Sequence, residues 1–135
     1  MNRHAIVATV LVAIRFVVAT IHGRAHEHLG VGLSTWQNAF VMSVIVAAPI
    51  VAAVLYWTRL RAWGALLLGV SMLAGMLFGL YYHFIAITND NIAHLPEGDA
   101  HGLFVATAIL LVPCEAAAAA FGFWSWSKLR RGAVV

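Results

Sequence analysis

Residues 102–126 read GLFVATAILLVPCEAAAAAFGFWSW, a run whose single charged side chain is Glu115. A hydrocarbon core of about 30 Å takes about 20 helical residues to cross, so this run is long enough to span one. Its apolar side chains fall on every side of the chain rather than alternating, which predicts a helix and not a barrel strand. Three runs of the same kind precede it, at 5–22, 39–57 and 63–87. The expected fold is therefore an all-α integral membrane protein: one four-transmembrane-helix bundle over residues 1–135.

Composition agrees. Of 135 residues, 63% are hydrophobic and 10% are Asp, Glu, Lys or Arg, where soluble domains have about 45–50% and 25%. Mean hydropathy is +0.91. A chain this short buries too small a fraction of its surface to hide so much apolar area from water. Soluble enzymes, disordered regulators and nucleic-acid readers are excluded. A net charge of +3 is too small to suggest a nucleic-acid partner, and the partner expected first is the lipid bilayer itself. The single cysteine, Cys114, excludes a disulfide framework, a CxxC redox pair and a cysteine-built zinc site. Arg15 interrupts the first run and no small-x-small cleavage site follows, so that run is expected to be a retained helix.

Basic residues give the orientation. Arg3, Arg59, Arg61, Lys128, Arg130 and Arg131 lie at the two termini and in the second loop, whereas the first and third loops hold Arg24 alone. By the positive-inside rule both termini are expected in the cytoplasm, with the protein in a plasma or inner membrane. Trp57, Trp63, Trp124 and Trp126 then mark the inner interface, and Trp36, Tyr81 and Tyr82 the outer one.

In that orientation the polar chemistry is one-sided. Six of seven histidines, His22, His26, His28, His83, His94 and His101, fall at the extracytoplasmic face with Glu27, Asp90, Glu97 and Asp99. Imidazole and carboxylate ligate first-row transition metals, and imidazole also ligates haem iron. His22 and His26 stand four apart, one above the other on a continuing helix. Gly75, Gly79 and His83 also follow at spacings of four, and the GxxxG pair permits close helix approach, which turns His83 inward. On the fourth run His101, Ala108, Glu115 and Gly122 recur every seven residues and form a small-residue face towards a neighbour. Asp99 is positioned to cap that helix.

Arg15 and Glu115 are the two ionisable groups within spans, and such groups face a bundle interior or a polar cavity. Arg15 lies seven residues, roughly 10 Å, below His22, and Glu115 thirteen residues, roughly 20 Å, below Gly102. A direct or water-bridged pair is expected despite the difference in depth. It serves either as a register-fixing ion pair or as a cofactor-binding counter-charge. Pro49 and Pro113 each free a carbonyl one turn earlier.

These features favour a membrane-embedded protein binding a transition metal ion (Cu, Fe or Zn) or haem b. The expected ligands are His22, His26, His83 and then His101, with Arg15 and Glu115 as polar cofactor-binding groups beneath, in redox or metal handling. Two other classes fit the same chain. One is a non-catalytic accessory subunit of a larger membrane complex, binding other subunits or copies of itself through its GxxxG and polyalanine faces. The other is a small oligomeric proton-coupled transporter using Glu115.

Overall fold

The computed structural model describes residues 2–131; residues 1 and 132–135, which the expected domain includes, lie outside the described residues. Four helices are long and apolar enough to cross a membrane: α1 (Arg3–Leu29), α2 (Thr35–Tyr56), α3 (Arg61–Ile85) and α4 (His101–Arg131). No strand occurs among the described residues. The helices outrun several of the expected bounds because helix and apolar run are different things. α1 continues seven residues past His22, carrying polar residues up to Leu29, and so keeps His26 on the same helix as His22.

Local chemistry sets the ends. Asn2 caps α1, its side chain accepting from the Ala5 N–H at 3.2 Å. Gly30, at φ 64°, takes the left-handed conformation that closes the other end. There Gly30 N donates to the Glu27 carbonyl and Val31 N to the His26 carbonyl, the paired bonds of a Schellman motif. Ser34 and Gln37 form a capping box at the start of α2. On α4 the His101 N–H bonds the Gly98 carbonyl at 3.0 Å. The expected Asp99 cap has no side-chain bond among the described residues.

Two wide π-helical segments interrupt the α-helices, Val41–Ala47 in α2 and Tyr81–Ile85 in α3. π turns are rare and gather at functional sites, where the extra residue re-aims neighbouring side chains. Both lie in the half of the bundle remote from the termini.

Helices in lipid gain nothing from hiding apolar surface, so close backbone approach holds them together. α3 and α4 make the closest pair. A Cβ on Gly122 would collide with the Gly69 backbone and stand 2.9 Å from the Ala65 carbonyl. α4 also packs on α1, and α3 on α2. α2 closes the ring against α1 through Ala48–Tyr56, its second half; its first half leans on α3 instead. Near the termini the bundle is tied by Asn2 Nδ2 donating to the Tyr56 carbonyl (2.9 Å) and Trp57 Nε1 donating to Thr9 Oγ1 (3.1 Å). The core there is built of small and medium residues around Ala8, Tyr56, Leu68, Met72 and Ala118. At the other end a second core of Ala25, Val31, Leu95, Phe104 and Ala108 lies under the loop joining α3 to α4. Between these two cores, where α2 leans away from α1, the bundle is hollow.

Candidate metal centre

The hollow is headed by histidines from two helices. His22 and His26 project from adjacent turns of α1, and the π turn ending α3 turns His83 towards them. His22 Nε2 lies 3.2 Å from His83 Nε2 and 3.2 Å from His26 Nε2. One ligand atom from each of the three residues falls within 4.8 Å of the others. Nitrogens held 2.0–2.1 Å from one tetrahedral ion stand roughly 3.3 Å apart, a spacing that the two separations from His22 match.

The opposite ring nitrogens explain why these atoms converge. A neutral imidazole has one N–H and one lone pair. The Thr107 hydroxyl donates to the Leu103 carbonyl at 2.7 Å, so it accepts from His22 Nδ1 at 2.9 Å. His26 Nδ1 donates to the Val31 carbonyl (3.1 Å) and His83 Nδ1 to the Asp90 carbonyl (3.0 Å). All three Nδ1 atoms thus carry the proton, and all three Nε2 lone pairs point at one another. His22 Nε2 therefore faces the lone pairs of both His83 and His26 at 3.2 Å, contacts that repel unless a cation or proton lies among them. Orienting a ligand histidine through its other N–H is the usual outer-shell device of metal sites. The Schellman turn after α1 takes part directly, because it returns the Val31 carbonyl to His26.

Asp90, 6% exposed, lies against the cluster. Its Oδ1 is 3.3 Å from His26 Nε2 and 3.2 Å from His83 Nδ1. The single N–H of His83 is spent on the Asp90 backbone carbonyl, and neither carboxylate oxygen has an aligned hydrogen-bond donor. A buried acceptor left without a donor costs about 1–3 kcal/mol, more when charged, and a cation at the Nε2 triangle removes that cost. Burial opposes ionisation of Asp90, but the nearby His83 N–H and the positive charge that His83, His26 and His22 carry when protonated hold its carboxyl below the ordinary carboxylate range. Phe104, fully buried, packs its ring on His22 and His26 at 4.6 Å between centroids and on His83 at 5.4 Å. It gives the cluster a dry wall.

Arg15 and Glu115 pair directly, each 4% exposed. Arg15 Nε and Nη2 both donate to Glu115 Oε1, at 3.1 and 2.6 Å. Arg15 Nη1 donates to the Ile45 carbonyl at 2.9 Å, which Pro49 leaves without its usual helical donor. Gly75 makes the room: a Cβ there would stand 3.0 Å from Glu115 Oε1. The pairing corrects the expected difference in depth. Thr107, not Gly102, is level with His22, so Glu115 is eight residues, roughly 12 Å, below the cluster and Arg15 roughly 10 Å.

A cavity of about 690 Å³ joins the histidine cluster and Asp90 to this ion pair. Of the expected ligands, His22, His26 and His83 are brought together. His101 is set apart, with Nδ1 against the Pro96 carbonyl at 3.3 Å. His28 and His94 are exposed. The arrangement can hold a single divalent ion on three nitrogens, with Asp90 beside it and a further position facing the cavity. Comparison of the chain with family models, with curated proteins and with solved structures finds no match, so the chemistry of this site alone carries the functional reading.

Proposed function

We propose that this is a membrane-embedded transition-metal protein, with both termini cytoplasmic and the metal at its extracytoplasmic face. His22, His26 and His83 ligate one first-row ion (Cu, Fe or Zn) through Nε2, and Asp90 supplies negative charge or a fourth ligand. The observation that carries this reading is the convergence of three Nε2 lone pairs whose Nδ1 protons are all committed elsewhere. Three protein ligands with a further position open to a cavity resemble catalytic rather than structural metal sites, which favours redox or metal-handling work. Imidazole suits all three metals.

A bare ion fits better than haem b. The His22 ring meets His26 and His83 nearly edge-on, with centroids 4.8 and 4.9 Å apart, and no porphyrin fits between rings so close. The proton-coupled reading has less support, since Glu115 is held by a fixed counter-charge, and nothing specific favours the accessory-subunit reading.

Metal analysis of protein purified in mild detergent without chelator tests the proposal. One ion per chain is expected, lost on combining His22→Ala and His83→Ala. A folded, metal-free protein that takes up none of Cu, Fe or Zn on dialysis would contradict it.

A further inference from the structure

The cavity beneath the cluster has features that a metal site alone does not need. Its walls are apolar, with Val41, Met42 and Val46 from α2, Met76 and Phe78 from α3 and Leu111 from α4. Its floor presents an acceptor to the cavity: both Arg15 bonds land on Glu115 Oε1, and among the described residues no hydrogen bond reaches Oε2. Its side is open, because Gly23 lines the cavity on α1 with nothing within 4 Å of a Cβ built there. That opening lies where the first half of α2 leans away from α1, at the level of the histidine cluster and beside the exposed Arg24–Glu27 pair.

We propose that this cavity binds a lipid-soluble hydroquinone, entering sideways between α1 and α2. One ring hydroxyl donates to Glu115 Oε2, and the opposite hydroxyl faces the histidine cluster. The volume lies within the roughly 300–1,000 Å³ of small-molecule sites. Charge selects the ligand class. Three of the five Arg15 N–H groups are spent on Glu115 and the Ile45 carbonyl and its charge is balanced by Glu115, so an anionic head would meet the Glu115 carboxylate beside a cation that is already paired. A neutral donor meets a carboxylate oxygen that faces the cavity and takes no bond from Arg15. The two polar poles stand roughly 10–12 Å apart by helical rise, with apolar wall between them, which suits a flat ring bearing a hydroxyl at each end. Met42, Met76 and Phe78 offer the thioether and ring contacts that aromatic rings favour.

Only the histidine-facing end of this site rests on the proposed metal centre. The test titrates a short-chain alkylhydroquinone, and separately its dimethyl ether, into the full chain in mild detergent, both metal-loaded and chelator-treated. The hydroquinone is expected to bind about tenfold or more tightly than the ether, the loss expected when a hydrogen bond to a charged acceptor is removed. Gly23→Trp, which plugs the mouth, should weaken hydroquinone binding by a similar factor and leave metal content unchanged. Ala13→Trp, on a separate 320 Å³ groove between α1 and α2, should have no effect. Equal binding of the ether, or equal effects of the two tryptophans, would overturn the proposal. Hydroquinone selectivity in a protein that binds no metal would support the pocket and remove the centre; metal binding without that selectivity would do the reverse.

Discussion

The two ends of α1 each carry a hydrogen-bonded histidine, half-buried at His4 and buried at His22, and their surroundings differ. Near the termini, His4 Nδ1 is 3.0 Å from Ser125 Oγ, and its ring stacks on Trp124 at 5.3 Å between centroids. At the far end His22 Nδ1 is satisfied in the same way by Thr107. Among the described residues no second histidine meets His4, whereas His22 meets two, nitrogen to nitrogen. A histidine hydrogen-bonded to a hydroxyl is therefore ordinary, and the converging second nitrogens are what make a site. The backbone differs in parallel. The end with His4 is shut by glycine-to-backbone packing, while the end with His22 has both π segments and the cavity.

Breaking each end in turn separates their roles. Combining His22→Ala with His83→Ala should abolish metal binding in equilibrium dialysis, whereas His4→Ala should retain the full complement; equal losses would erase the distinction. Arg15→Ala alone should cost about 3–5 kcal/mol of unfolding stability in detergent, because it strands a buried carboxylate. Arg15→Met with Glu115→Leu should cost much less, since both charges go together. Gly122→Ala should cost about 1–3 kcal/mol by forcing α3 and α4 apart, while Gly23→Ala, facing open space, should be neutral or slightly stabilising. Thermal unfolding monitored by circular dichroism orders all four. The mildest loss of metal binding is expected from Thr107→Val, which removes only the orienting partner of His22. Metal affinity should fall about 10–100-fold with ligand number unchanged, and an unaltered affinity would deny Thr107 that part.

Acidification sharpens the same contrast. Imidazole binds metal only as the free base, and unperturbed histidine titrates near pH 6.5. Metal retention should therefore fall as acid protonates the cluster. Asp90, with its carboxyl held below the ordinary range, contributes stability that is present above the unfolded carboxylate value and lost as pH falls through the lower folded one. Parallel dialysis and unfolding series over the acid range would measure the loss of metal and the loss of fold separately.

The four helices were legible because lipid demands long apolar runs, which composition alone reveals. His22, His26 and His83 were legible because helical spacing turns sequence intervals into shared faces. Asp90 was not assigned to the site because it sits in the loop between Ile85 and His101, where no period says which way a side chain turns. Thr107 carried one faint signal, its place beside Ala108 on the small-residue face. The same spacing argument misplaced His101. Its stripe is real, since Ala108, Glu115 and Gly122 are buried, but α4 begins above the level of His22 and leaves its first turn outside the cluster. The depth of Glu115 was misjudged for the same reason, because register between helices depends on loop paths that periodicity does not encode.

X-ray absorption at the metal edge, on protein purified in mild detergent without chelator, tests the central claim most directly. Three or four nitrogen and oxygen neighbours at about 2.0–2.1 Å, with the outer-shell scattering of imidazole rings, are expected, and the signal should vanish when His22→Ala and His83→Ala are combined. An oxygen-only shell, or an unchanged spectrum in that variant, would mean that the converging histidines do not hold the metal.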